Sequence, residues 1–209
     1  MTTKNTARPS PLGLMILALL FEEPMHAYRM QKLMKSRGKD AVVNVRQRTS
    51  VHQTLDRLLR LGLIRKGKTE RSESHPDRTV YAITSRGRET AEKWLKRMLS
   101  AAGDEFPDFP AALSVVTMLP PAEVKSELRA RARALREELK RLRAARRSAG
   151  KLPRVFLLDE NYRIAIVRTE ISFLEKLVAD MEDGSLRWDQ EWIRSIASEF
   201  EPNARGERE

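Results

Sequence analysis

The chain has 209 residues, 41% of them hydrophobic, enough to bury a core in one large or two small domains. Forty Lys and Arg against 29 Asp and Glu leave a formal charge of +11, which favours an acidic polymer or an anionic surface as partner. The absence of cysteine excludes a disulfide framework, a cysteine-based zinc site and thiol redox catalysis, and accords with a cytoplasmic protein.

Ser10 and Pro11 offer a helix cap and a favoured first-turn residue, and LGLMILALLF then runs apolar on nearly all sides until Glu22, Glu23 and Pro24 stop it. Leu12 to Phe21 is about half the length needed to span a bilayer and is not followed by a small-residue cleavage site, so a buried core helix is expected. A second helix is expected from about His26 to Ser36, with Tyr28, Met30, Leu33 and Met34 as its apolar stripe, a basic outer face and Gly38 at its exit. The third is TSVHQTLDRLLRLGLI, in which Ser50 and Gln53 have capping-box spacing, Val51, Leu55, Leu58 and Leu59 face inward, and Gly62 closes the helix. The period then changes: LIRKG and TVYAIT read as two strands joined by a long polar turn. Three helices followed by a basic hairpin describe a winged helix-turn-helix. A fourth helix from about Ser85 carries Ala91, Trp94, Leu95 and Met98 at helical spacing and ends near Gly103.

GDEFPDFP, with two prolines and three acids, marks a boundary between a domain at 1–103 and one at 104–209. A short apolar helix near Ala111 to Leu119 is followed by a long one opened by Pro120 and Pro121. Leu128, Ala132, Leu135, Leu139 and Leu142 form a heptad seam, and the pattern recurs at Ile164, Val167, Ile171, Leu174, Val178 and Met181. Neither seam is long enough to stand alone, so a helical hairpin that joins a second copy of itself is expected. The fold class is thus mainly α with a small β-hairpin wing: an N-terminal winged helix-turn-helix and a coiled-coil-like C-terminal dimerisation domain. The charge is divided unevenly between them. Residues 1–103 hold 21 basic and 9 acidic residues, the remainder 19 and 20, so the whole excess lies in the N-terminal half.

PMHAYRM, DRLLRLGLI and HPDRTVYAITSRG, the last an Arg-x-x-Tyr strand running into Thr-x-x-Gly, resemble the PadR family of transcription regulators, as LPRVFLLDENY and DGSLRWDQEWI resemble its larger members with a helical C-terminal domain. The resemblance implies a bacterial, cytoplasmic protein, nucleoid-associated when bound, that reads a palindromic operator as a homodimer, acts as a repressor and answers to a small aromatic effector. Such an effector would shift the spacing of the two reading heads. Where the family opens its recognition helix with Gly, Ser or Thr, Leu, Tyr, this chain has Thr49, Ser50, Val51 and His52.

In a helix-turn-helix the first turn of the second helix meets base edges while flanking basic residues hold phosphates. The expected DNA-binding residues are therefore Arg46, Arg48, Thr49, Ser50, His52, Gln53 and Arg57. Gln53 suits adenine and an arginine suits guanine, but Gln53 could instead serve only the capping box. Lys66, Lys68 and Arg78 of the wing are expected on phosphate or in the adjacent minor groove. Tyr28 resembles the family residue that contacts the DNA backbone, with a place on the buried stripe as the alternative. Trp94 is the candidate for stacking on an effector, against core packing. Leu95, Met98, Ile164, Val167, Ile171, Leu174 and Val178 are expected at the dimer interface. The arginine run of residues 129–147 shares its helix with four acids and reads as a solvated face.

His26, His52 and His75 sit in three different elements, with no phosphate loop and no paired carboxylates in an apolar setting, so neither an enzyme nor a metal or cofactor site is expected. No membrane partner is expected either. Two rivals remain: general chromosome-associated DNA binding, and a winged-helix protein-interaction module, which the charge of the N-terminal half opposes.

Overall fold

A computed structural model describes residues 8–43, 48–72, 75–102 and 107–200, with the side chains of residues 41, 48, 68–72, 75–78, 197, 198 and 200 left out of the description. The chain divides into two compact units, residues 1–103 and 104–209. No helix of the described residues is long and apolar enough to cross a membrane.

The first unit opens with α1 (Pro11–Glu22), whose cap is the expected one: the Ser10 hydroxyl accepts from the Gly13 N–H at 3.2 Å and Pro11 takes the first helical position. Ile16, Leu17, Leu19 and Leu20 are buried, as an all-round apolar helix requires. A two-residue strand, β1 (Met25–His26), leads into α2 (Ala27–Ser36). The His26 Nδ1 caps α2 by accepting from the Arg29 N–H at 3.1 Å, the local role that a histidine before a helix usually has. α3 (Arg48–Arg60) buries Val51, Leu55 and Leu58 completely or nearly so. It begins three residues earlier than the capping-box reading requires. Ser50 lies inside the helix, where its carbonyl accepts from the Thr54 hydroxyl at 2.7 Å, so Ser50 is not the cap and Gln53 has no capping duty.

β2 (Ile64–Ser72) and β3 (His75–Ile83) pair antiparallel, and β1 joins the other edge of β3 in the order β1-β3-β2. Ile64 faces Ile83 and Lys66 faces Tyr81; the register slips between Lys66 and Thr69 and again between Glu70 and Ser72. The segment expected as a long polar turn is therefore strand. Backbone hydrogen bonds carry it, and these need no apolar alternation of side chains. α4 (Ser85–Ser100) completes the unit. Its start explains the Thr-x-x-Gly pattern: the Thr84 hydroxyl accepts from the Gly87 N–H at 3.0 Å and donates to the Gly62 and Leu63 carbonyls at 2.8 and 3.1 Å. Gly87 is buried at that contact.

The second unit comprises α5 (Asp108–Ser114), α6 (Pro121–Ser148), α7 (Leu158–Glu182) and α8 (Gln190–Phe200), with short 3-10 turns at Val116–Met118 and Arg154–Leu157. α6 and α7 form the expected hairpin. Val124, Leu128, Ala132, Leu139 and Leu142 of α6 are buried with Val167, Ile171 and Leu174 of α7. Arg129 pairs with Glu182, Arg136 with Glu175 at 2.6 Å, Arg131 with Glu170 at 2.5 Å and Arg163 with Glu138 at 2.8 Å. Within the row of Arg129–Glu182 and Arg136–Glu175, and within that of Arg131–Glu170 and Glu138–Arg163, the α7 number falls as the α6 number rises, so the helices run antiparallel. The pairs are exposed or half-exposed and contribute about 1 kcal/mol or less each, but together they oppose a slip in register. Part of the arginine run is thus an inter-helix clamp rather than a free solvated face.

Candidate nucleic-acid interface

α3 is amphipathic because its two faces have different neighbours. Val51, Leu55 and Leu58 go into the core of the first unit, which leaves Thr49, His52, Gln53, Asp56 and Arg60 exposed at helical spacing on the other side. The expected residues Thr49, His52 and Gln53 share this stripe. Ser50 is half-buried at its margin. Arg57 lies at the margin of the stripe and is half-buried, and its guanidinium donates to the Arg8 carbonyl at 2.6 Å. That contact corrects its assignment as a free DNA-facing side chain. Arg48 begins the helix, but its side chain, like all of Arg46, lies outside the described residues.

Sequence reasoning passed over Asp56, the acid of the exposed stripe. A carboxylate can accept from the cytosine amino group but repels phosphate, so it suits a base-reading position better than a backbone one. The Tyr81 hydroxyl is held above its usual pKa, first by burial and then by the charge of Asp56, and stays neutral at physiological pH. Periodicity alone contained this signal, since Asp56 lies four residues beyond His52.

Lys66 and Arg65 are exposed on β2, while Lys68 and Arg78 lie on β2 and β3 with side chains outside the described residues. Tyr28 is 56% exposed, not on a buried stripe, and its ring stacks on His26 with centroids 6.3 Å apart. Met25 and His26 pair with Tyr81 and Val80, and Lys66 pairs with Tyr81 from the other side. The start of α2 and the basic base of the wing therefore flank the same point of β3. On α2, Lys32 and Lys35 are exposed along the same side as Tyr28, whereas Arg29 pairs with Glu23 and Arg37 with Glu22 at 2.5 Å. The Arg37 hydrogen bond is the main reason the Glu22 carboxyl is held below its usual range. The two acids thus neutralise one arginine at each end of α2 and leave the lysines on its outer face.

Trp94 is 5% exposed and packs in the core over Gly13, where a Cβ would come within 3.1 Å of the indole ring. It has no open face for an effector, and the stacking role is withdrawn. In the dimer set, Val167, Ile171 and Leu174 are buried against α6 of the same chain, and Ile164 and Val178 are half-buried beside them. Those three residues are consumed by the hairpin and are not open to a second copy. Leu95 and Met98 do remain exposed on α4. No metal-holding group of His, Cys, Asp or Glu occurs among the described residues.

Comparison with known proteins agrees with this architecture. The chain resembles Bacillus subtilis PadR in complex with operator DNA at 16% identity and a TM-score of 0.68, over 82% of this chain and 99% of that one. It resembles B. subtilis PadR in complex with p-coumaric acid at 16% identity and a TM-score of 0.63, over 83% and 98%. The Vibrio cholerae virulence activator AphA is similar at 17% identity and a TM-score of 0.65, over 82% and 98%. These likenesses show a shared fold, a winged helix-turn-helix with a C-terminal helical region. No curated protein matches the sequence. The sequence itself matches the transcriptional regulator PadR-like family over residues 16–93, a segment that runs from within α1 to the penultimate residue before Leu95 of α4. The chain thus carries, at residues 16–93, a domain of the transcriptional regulator PadR-like family, whose members are regulators of transcription and not enzymes.

Proposed function

We propose that the protein is a sequence-specific DNA-binding transcriptional regulator that reads a palindromic operator as a homodimer. The observation that carries this reading is the exposed stripe of Thr49, His52 and Gln53 on a helix whose opposite face is buried. In the winged helix-turn-helix that stripe is the part of the molecule that enters a major groove. Gln53, freed of capping, is suited to adenine, and the imidazole of His52 donates or accepts at a base edge. Arg46 and Arg48 at the entrance of α3, together with Lys66, Lys68 and Arg78 of the wing and Tyr28 of α2, supply backbone contacts. The crystallised complex of B. subtilis PadR with operator DNA supports this use of the fold. Repression by blocking the promoter is our reading of its sign, and the p-coumaric acid complex of the same relative supports release by a small aromatic molecule.

Binding is tested by fluorescence anisotropy of a labelled duplex from the chain's own upstream region, at near-physiological salt with excess random DNA. Saturation that survives the competitor supports a specific, self-regulating binder; loss to competitor indicates binding without specificity or an operator elsewhere. Replacing both His52 and Gln53 with alanine is expected to weaken operator binding at least tenfold while leaving random-DNA binding and melting temperature near wild type. Unchanged operator affinity in that variant would remove the stripe from the reading head. Affinity should also fall steeply with salt.

For the dimer, the seam residues used inside the hairpin leave another face of α7 to carry it. Leu158, Tyr162 and Ile166 are 54%, 68% and 49% exposed, spaced four residues apart on the side opposite Ile171. A contiguous apolar stripe of this kind is an association surface, and the palindrome-reading function makes a second copy its occupant. Ile166→Asp is expected to sediment as a folded monomer. A variant that remains dimeric would move the interface elsewhere, with Leu95 and Met98 of α4 as the next place to look.

A further inference from the structure

The second unit contains a partly open cavity of about 300 Å³ lined by its own elements: α5, the Val116–Met118 turn, α6, α7, the segment leading into α8 and α8 itself. Its walls are almost wholly apolar. Val116, Val124, Leu177 and Met181 are among its aliphatic lining, and Phe173, Trp188 and Trp192 supply three aromatic rings. The one charged group in the lining is Arg187, which is exposed and makes no hydrogen bond or ion pair among the described residues, although its neighbours on α6 and α7 are extensively paired. The Trp188 Nε1 is already committed, donating to the Leu119 carbonyl at 3.0 Å, so it anchors the wall and is not open to a ligand. Trp192 is half-exposed, as a side chain at a cavity mouth is.

We propose that this cavity is a binding site for a small fused-ring or aryl molecule carrying one anionic group. The volume lies at the lower end of the range for small-molecule pockets, which suits one or two rings rather than a long acyl chain. Aromatic walls favour a flat π-system in offset or edge contact, and an unpaired guanidinium beside an apolar chamber selects a carboxylate or sulfonate. This deepens the effector part of the function proposed above: it moves the ligand from Trp94, which is buried, to the Trp188 and Trp192 chamber. It does not depend on the DNA-binding part, because occupancy is read without DNA.

The test is isothermal titration of the full chain with a matched pair of probes, naphthalene-2-carboxylate and its uncharged isostere naphthalene-2-carboxamide. The carboxylate is expected to saturate one site per chain and to bind at least threefold more tightly than the amide. Arg187→Gln, a substitution at an exposed position that leaves the core intact, should remove that preference. Val116→Phe, which adds a ring to the lining, should weaken both probes about tenfold. Failure of both probes to saturate wild-type protein overturns the proposal, as does saturation that Arg187→Gln and Val116→Phe both leave unchanged. Saturation that disappears as protein concentration is raised and the chain self-associates also overturns it, because a second copy would then be filling the chamber. If the probes bind as expected while operator binding fails, the site stands and the regulatory reading falls.

Discussion

Gly87→Ala is expected to destabilise the first unit by at least about 3 kcal/mol, although alanine is the better helix former by about 1 kcal/mol in an unconstrained helix. The sign reverses because of one tertiary contact. A Cβ at position 87 would overlap the Leu63 carbonyl oxygen and come within 2.8 Å of the Ile83 side chain. The Leu63 carbonyl is not free to move: it accepts the Thr84 N–H at 3.1 Å and the Thr84 hydroxyl at 3.1 Å, at the junction of β2 with α4. Overpacking of this kind costs about 1–3 kcal/mol, and the loss of the two hydrogen bonds about 1 kcal/mol each. Because α4 carries Trp94 into the core, the loss should be seen as a lower unfolding midpoint of the first unit in a urea titration. Gly87→Ala within about 0.5 kcal/mol of wild type would mean that the Thr84–Gly87 junction has more room than the structure shows.

Leu174→Asp is expected to abolish the cooperative folding of the hairpin in the second unit. Leu174 is 0% exposed and sits among Val124, Leu128 and Ala132 of α6. Truncating such a leucine costs about 2–5 kcal/mol, and an unpaired carboxylate in the same place adds several more unless it is protonated. The nearby arginines do not rescue it, since Arg129, Arg131 and Arg136 already engage Glu182, Glu170 and Glu175 at the solvent edge. Helical content by circular dichroism should fall by a large part of α6 and α7, and Leu174→Met, similar in volume, should remain folded. A Leu174→Asp chain that keeps wild-type helicity would place that residue at a surface. The contrast with Ile166→Asp is the useful one: the first should lose the fold, the second only the partner.

Much of the first unit was legible in the residues because its signals are local. Ser10 and Pro11 begin α1, the apolar run buries it, and Val51, Leu55 and Leu58 mark the inner face of α3, all through spacing and capping chemistry that needs no distant partner. Thr49, His52 and Gln53 were legible as candidates for the same reason. The wing was less so. Its charged outer half pairs through backbone groups, and backbone hydrogen bonds leave no trace in side-chain alternation.

The seams of α6 and α7 were legible as seams, since heptad spacing identifies a buried stripe whichever helix covers it. Which helix covers it is a matter of tertiary structure. Val167, Ile171 and Leu174 could equally have met a second chain; the antiparallel hairpin, aligned by the Arg–Glu rows, took them instead and turned Leu158, Tyr162 and Ile166 outward. The same holds for single residues. Nothing local distinguishes Arg57, drawn to the Arg8 carbonyl, from an arginine free to meet phosphate, or Trp94, closed over Gly13, from a tryptophan with an open face. Periodicity and capping act over one or two helical turns, so the sequence by itself determined where the helices lie and which faces are apolar. Partner choice depends on what another segment, distant in the chain, brings to that face, and only the folded chain decided it.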